Sequence, residues 1–234
     1  MKISRRQFLV SMLAAPAALA SMSHIVLLGD SIFDNGSYTG GGPDVISQVR
    51  GLMPGGWKAS LLAVDGATTA GIPRQLERLP SGASHLVLSV GGNDALGAQH
   101  ILQSRVATTG EAMMQLGRAV ASFESAYRNA VAACLRPGLP LVLCTIYNGN
   151  FPDPQYRQQV TTALAVFNDV ILRTAIEHRL GLIELRQICN EARDYANPIE
   201  PSSRGGEKIA RAIIDVVTAR TDARRRSLVI GAPP

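Results

Sequence analysis

His24-Ile25-Val26-Leu27-Leu28-Gly29-Asp30-Ser31-Ile32 is the stretch whose reading decides the fold of this chain. Its short, almost wholly apolar run has the pattern of a strand buried on both faces. Gly29, Asp30 and Ser31 then end it in a turn. These residue types favour turns for conformational reasons alone, and a strand-ending turn accounts for all three. The same turn also places a hydroxyl just beyond the carboxyl end of a buried strand, where ligands gather in an open α/β sheet. Ser31 is therefore a candidate nucleophile, to be weighed against the rest of the chain.

Working outward, the pattern repeats. A Gly-rich loop, 33–43, lies beside Ser31 and is read as a wall of its pocket. A helix follows over 44–52, started by Pro43-Asp44. A second strand, 57–64, ends in Asp65-Gly66-Ala67-Thr68-Thr69, and a third, 84–90, ends in Gly91-Gly92-Asn93-Asp94. Helical spacing appears around 95–105 and more strongly over 111–135, where Pro137-Gly138 stops it. The fourth strand is 139–146, followed by a loop at 148–154 and a helix over 156–179. The fifth strand is 182–185. The last helix runs from Arg204 or Gly205 to Thr218, with Ser202 or Ser203 as N-cap and with Arg204 and Glu207 spaced to pair on its solvated face. Alternating strands and helices imply a parallel sheet covered on both sides. The expected fold class is α/β, a three-layer domain with a five-stranded parallel sheet.

A length of 234 residues suits one such domain. Residues 1–20 read as an export signal, with a basic start, an apolar stretch and the small-residue end Ala18-Leu19-Ala20. Within it, Ser4-Arg5-Arg6-Gln7-Phe8-Leu9 resembles a twin-arginine signal. The expected location is periplasmic or secreted, or cytoplasmic if Met22 is the true start. The apolar part falls short of the about 20 residues of a membrane-spanning helix, so no stable span is expected once the signal is removed. The domain then occupies 21–220, and 221–234 form a basic tail around Arg224-Arg225-Arg226. Of the net charge of +5, three positive charges (Lys2, Arg5 and Arg6) lie in the signal, leaving 20 basic against 18 acidic residues. No basic stripe interleaved with aromatics remains, so nucleic-acid binding is not expected. Cys134, Cys144 and Cys189 are widely spaced and read as small buried residues.

Three loops now end at one edge of the sheet. Acyl transfer needs a nucleophile and donors aimed at the oxyanion formed when a carbonyl is attacked. Ser31 can attack, and its own N–H, the N–H of Gly66 and the side-chain amide of Asn93 can bind that oxyanion. Asp30 and Asp94 read as shapers of their loops through capping and turn hydrogen bonds.

At this point the chain resembles the SGNH hydrolases, also called the GDSL esterase and lipase family, over essentially everything after the signal. Gly29-Asp30-Ser31-Ile32 looks like the block carrying the nucleophile, Gly66 like the second-block glycine, and Gly91-Gly92-Asn93-Asp94 like the block with the oxyanion-hole Asn. The resemblance implies a flavodoxin-like fold and no metal or organic cofactor. It also implies a small-molecule ester, thioester or acetylated substrate, processed through a Ser31 acyl-enzyme.

One block departs. Family members carry Asp-x-x-His before the last helix, whereas this chain has Asn197-Pro198-Ile199-Glu200-Pro201-Ser202. Three explanations stand open. Glu200 is the base, its pKa raised by burial to recover the about 3 kcal/mol that separates an ordinary Glu from His. Alternatively, His100 substitutes; of the four histidines it alone starts from the correct edge, because His24 and His85 begin strands and His178 precedes one. In the third, the protein keeps the scaffold but is catalytically weak or inactive and binds a carbohydrate or lipid.

Overall fold

A computed structural model describes residues 23–218; the expected export signal at 1–20 and the basic tail at 221–234 lie outside them. Strands β1 (His24–Gly29), β2 (Lys58–Leu61), β3 (His85–Ser89), β4 (Leu141–Cys144) and β5 (Gly181–Ile183) form one parallel sheet in the order β2-β1-β3-β4-β5. In this flavodoxin-like order the chain leaves β1 and β3 in opposite directions. A crevice therefore opens between their carboxyl ends.

The helices are α1 (Val45–Leu52), α2 (Ile72–Leu76), α3 (Gly92–Gly97), α4 (Thr109–Leu135), α5 (Pro154–Glu177), α6 (Leu185–Ile188) and α7 (Ser203–Val217). Successive strand side chains point to opposite faces, and β1 divides accordingly. Ile25 and Leu27 pack with Val49, Ile209 and Ile213 under α1 and α7. Val26 and Leu28 pack with Ile72, Tyr127, Val131 and Ile171 under α2, α4 and α5. The result is the expected three-layer α/β domain. All three cysteines are buried and free.

Local chemistry explains where the elements begin. Asp44 caps α1 by accepting from Ser47 N (2.9 Å), and Ser202 caps α7 by accepting from Gly205 N (3.2 Å). The structure corrects several boundaries. Leu185 is not in the fifth strand, because Glu184 accepts from Arg186 N and opens α6. The helical stretch 95–105 divides into α3 and a 3-10 turn, Gln99–Gln103. Glu207 pairs with Arg211 rather than Arg204, whose guanidinium lies 3.6 Å from Glu191 and Asp194. The short helix α2 follows β2 without a periodic signal long enough to be read.

That short helix has a large effect at the sheet edge. Gly29 sits opposite Ser89 with φ 133°, and a Cβ there would lie 1.7 Å from the Ser89 carbonyl oxygen. The carboxamide of Gln75 on α2 then binds Gly29 twice, accepting from its N–H (2.8 Å) and donating to its C=O (2.7 Å). Asn168 on α5 does the same for Ile146 after β4, at 2.8 Å in both bonds. Each buried backbone group left without a partner costs about 1–3 kcal/mol. Gln75→Leu leaves the N–H of Gly29 unpaired, while its C=O keeps the bond from Val64 N (3.1 Å), so it should destabilise the fold by about 1–3 kcal/mol, read as a lower urea midpoint at unchanged m-value.

Candidate active site

The turn after β1 is built by Asp30. Its N–H donates to Ser89 O (3.1 Å), tying it to β3, and its Oδ1 accepts from Ile32 N (3.1 Å). Phe33 N and Asp34 N both donate to Asp30 O at 3.1 Å, closing one helical turn with Ser31 at its crest. The expected loop-shaping role of Asp94 has a direct counterpart. Its carboxylate accepts from Thr69 Oγ1 (2.6 Å) and Thr69 N (3.1 Å), drawing the loop after β2 to the loop after β3. Asn93 adds a bond from Nδ2 to Ala67 O at 2.9 Å. A primary amide has two N–H donors, so the second is left for a ligand. Gly66, at φ 76°, turns the chain one residue before that contact.

Ser31 and Glu200 meet. Ser31 Oγ donates to Glu200 Oε1 at 3.1 Å, with the two residues 6% and 5% exposed. The other oxygen, Oε2, is buried without a hydrogen-bond partner among the described residues. Burial pushes the Glu200 carboxyl up to about 7; the bond from Ser31 opposes the rise and the charge of Asp65 adds to it. Burial also lifts Asp30 to about 7, against the pull of the Ile32 N–H and with the charges of Glu200 and Asp94 reinforcing it.

Glu200 is held from several elements. Asn197 Oδ1 accepts from both Ile199 N and Glu200 N at 2.9 Å, so its side chain shapes the backbone that carries Glu200. Tyr147 Oη donates to Ile199 O (2.7 Å), Asn150 N to Pro198 O (2.8 Å) and Asn35 Nδ2 to Pro201 O (3.1 Å). Asn35 also accepts from Val45 N (2.9 Å), linking this loop to the start of α1. Of these supporting residues Asn197 was singled out in the sequence, though not for this role; for Tyr147, Asn150 and Asn35 the only signal is polarity near a strand end.

Ser31, Asn93 and Glu200 line one cleft. His100 is elsewhere: it is exposed on the 3-10 turn, its Nδ1 3.3 Å from Gly97 O, while its neighbours Gln99 and Ile101 line the cleft. His24 contacts Ser60 at 2.8 Å, and His85 stacks on Trp57, both at the opposite edge. The Gly-rich stretch 33–43 does not wall this cleft, in contrast to the expectation. It lies toward β2, where Asp65 accepts from Tyr38 Oη (2.7 Å) and donates its N–H to Asp34 (3.0 Å). The bond to Asp65 pushes the Tyr38 hydroxyl up to about 12.

The model of the GDSL-like lipase/acylhydrolase family matches residues 27–207. The chain belongs to this family. It is a family of ester-bond hydrolases. Solved structures share the fold. An extracellular lipase from Streptomyces rimosus superposes with a TM-score of 0.60 at 17% identity, covering 86% of this chain and 100% of that one. A carbohydrate acetylesterase, Est24, from Sinorhizobium meliloti gives 0.57 at 13% identity, covering 86% and 100%. An acetylxylan esterase, Axe2, from Geobacillus stearothermophilus gives 0.56 at 19%, covering 82% and 92%. No curated protein matches the sequence.

The elevated carboxyl has a measurable effect on stability. Glu200 titrates near 7 in the folded chain against an ordinary value of 4.5. Between those values the folded state holds the extra proton, so stability falls as pH rises. Glu200→Gln should therefore raise the thermal midpoint at pH 8 and lose that advantage by pH 4, measured by melts across the range.

Proposed function

We propose that this chain is a serine ester hydrolase in which Ser31 is the nucleophile and Glu200 the general base. The observation that carries the reading is the hydrogen bond from Ser31 Oγ to Glu200 Oε1, 3.1 Å long and buried. Membership of an ester-hydrolysing family supports it. A carboxyl raised to about 7 matches the basicity of an ordinary imidazole, about 6.5, so the missing His is compensated by burial.

The Glu200 carboxylate accepts the Ser31 proton as Oγ bonds to the ester carbonyl carbon, and the carbonyl electron pair moves onto oxygen. Ser31 N–H, Gly66 N–H and the second N–H of Asn93 Nδ2 stabilise that oxyanion. The tetrahedral adduct collapses, breaking the bond to the alcohol, which leaves with the proton from Glu200. Water then attacks the acyl-enzyme while Glu200 takes its proton, and the acid departs as that proton returns to Ser31 Oγ.

Kinetics on nitrophenyl esters test the assignment. Ser31→Ala should lower kcat by about 10⁴-fold or more, Glu200→Gln by about 10²–10⁴-fold and Asn93→Ala by about 10²–10³-fold, with His100→Ala close to wild type. In the wild type kcat/KM should fall tenfold per pH unit below about 7, because protonated Glu200 accepts nothing. Wild type no faster than Ser31→Ala, together with no fluorophosphonate labelling of Ser31, would favour a carbohydrate- or lipid-binding protein on the same scaffold. A full rate in Glu200→Gln would remove Glu200 as base.

We further propose that the protein is exported through residues 1–20 by the twin-arginine route and works outside the cytoplasm. The basic start, apolar stretch and Ala18-Leu19-Ala20 support this. No described helix is long and apolar enough to cross a membrane. Mass measurement of the mature chain from cells should find Ser21 at the N-terminus; Met22 or Met1 would contradict export by this signal.

A further inference from the structure

The cleft that holds Ser31 has a volume of about 100 Å³, against roughly 300–1,000 Å³ for sites that take small organic ligands. It has to widen before an aromatic ester is bound, so one of its walls moves. Two stretches supply much of the wall: the one after β3, with Leu96, Gln99, Ile101 and Leu102, and the one leading into α5, with Phe151 and Tyr156. Their anchoring differs.

Tyr156 stands in the first turn of α5, which Asp153 caps by accepting from Gln155 N (2.8 Å) and Tyr156 N (3.4 Å). Its ring meets Phe151 edge to face, with centroids 5.1 Å apart. Phe151 is held in turn. Its C=O accepts from Arg157 Nε at 2.8 Å, and its ring packs so close to Gly149 that a Cβ there would lie 2.8 Å from the ring and 2.7 Å from Pro198 O. This wall is fixed to α5 and to the loop that carries Glu200.

The stretch after β3 is tied at its two ends. Asn93 donates to Ala67 O and Asp94 accepts from Thr69 at one end, and Ala107 N donates to Glu111 Oε2 (2.9 Å) at the other. None of residues 92–110 is buried. Leu96, Ile101 and Leu102 line the cleft and are packed into neither core cluster. Among the described residues, one hydrogen bond joins 95–106 to a distant part of the chain: Tyr156 Oη donates to Gln99 Oε1 at 3.3 Å, exposed to solvent. The other bonds of these residues, including those of His100 and Ser104, are made within 91–106. A segment with few buried contacts and exposed hydrogen bonds opens far more readily than the whole domain unfolds.

Resting on the reading of Ser31 as nucleophile, whose reactants have to enter this cleft, we infer that residues 95–106 are a strap that opens and closes the cleft, and that the Tyr156–Gln99 hydrogen bond is its latch. The structure shows the strap shut. The strap swings and α5 stays, because Tyr156 is held by Phe151 and the Asp153 cap while Gln99 has no such support. An occupied cleft is too wide for the latch to re-form, so the latch opposes entry.

Hydrogen exchange read by mass spectrometry reports the strap without any substrate. In the wild type, amides of 95–106 should exchange faster than those of β3. Tyr156→Phe keeps the ring against Phe151 and removes only the donor. It and Gln99→Ala should each speed exchange across 95–106 about two- to tenfold, the factor that one lost hydrogen bond produces, with β3, the second half of α4 and the thermal midpoint unmoved. The double variant should match either single one, since both remove the same bond. On nitrophenyl acetate, kcat/KM should rise by the same factor, because a larger fraction of the protein is open to substrate. Wild-type strap amides as slow as those of β3, or exchange unchanged in Tyr156→Phe, would overturn the strap. Faster exchange with kcat/KM unmoved or lowered would overturn its gating role while leaving the hydrolase reading intact. If the wild type is no faster than Ser31→Ala, the hydrolase reading fails instead, and exchange alone decides the strap by the same criterion.

Discussion

Between β1 and β3 there is no room for a side chain, and the site depends on that closeness. Gly29 lies against the Ser89 carbonyl so tightly that a Cβ would overlap it. This contact sits at the point where the chain departs from β1 to one side and from β3 to the other. Ser31 and Asn93 each follow these strands by a few residues, so the spacing of two backbones sets the spacing of the Ser31 hydroxyl and the Asn93 amide. Fold and site share one constraint. Asp94 and Asn93 extend it sideways by gripping Thr69 and Ala67, which brings the Gly66 loop to the same edge.

On the proposed mechanism, a Glu in the role of a His base changes the electrostatics of such a site. An imidazole is neutral when it accepts a proton and becomes cationic, whereas a carboxylate is anionic and becomes neutral. The neutral product tolerates burial better, and burial is what raises the carboxyl toward the basicity of an imidazole. The same replacement removes a second acid's task. An Asp behind an imidazole orients it through its far N–H, but a carboxylate has no such N–H to offer. Asn197 fits that logic, with its side-chain oxygen accepting from the backbone N–H groups of Ile199 and Glu200.

The architecture was legible because buried parallel strands leave unmistakable apolar runs, and all five were found with ends misplaced by a few residues. Leu185 shows why ends are harder. An apolar residue after Ile183 reads as more strand, but the cap supplied by Glu184 turns it into helix. Helix α2 was missed because five residues cannot display a helical period. In the site, Ser31, Gly66, Asn93 and Glu200 could be named from loop order and family likeness. The structure brings Ser31, Asn93 and Glu200 to one cleft and leaves His100 on an exposed turn. Gln75, Asn35 and Tyr147 could not be named, since their partners are backbone groups distant in sequence. The role expected of the Gly-rich stretch failed for a related reason: composition shows that a loop is irregular, not on which side of Ser31 it falls.

The carboxamides of Gln75, Asn168 and Asn35 each use both ends of a neutral, planar group to hold a loop. A carboxamide neither gains nor loses a proton across the range in which Asp30 and Glu200 do. The frame is thus blind to acidity, and the two acids it surrounds are not. Proton uptake by Glu200 changes the charge of this pocket while the carboxamides that hold its loops keep theirs, and Asp30 alone of the two acids both titrates and shapes a turn.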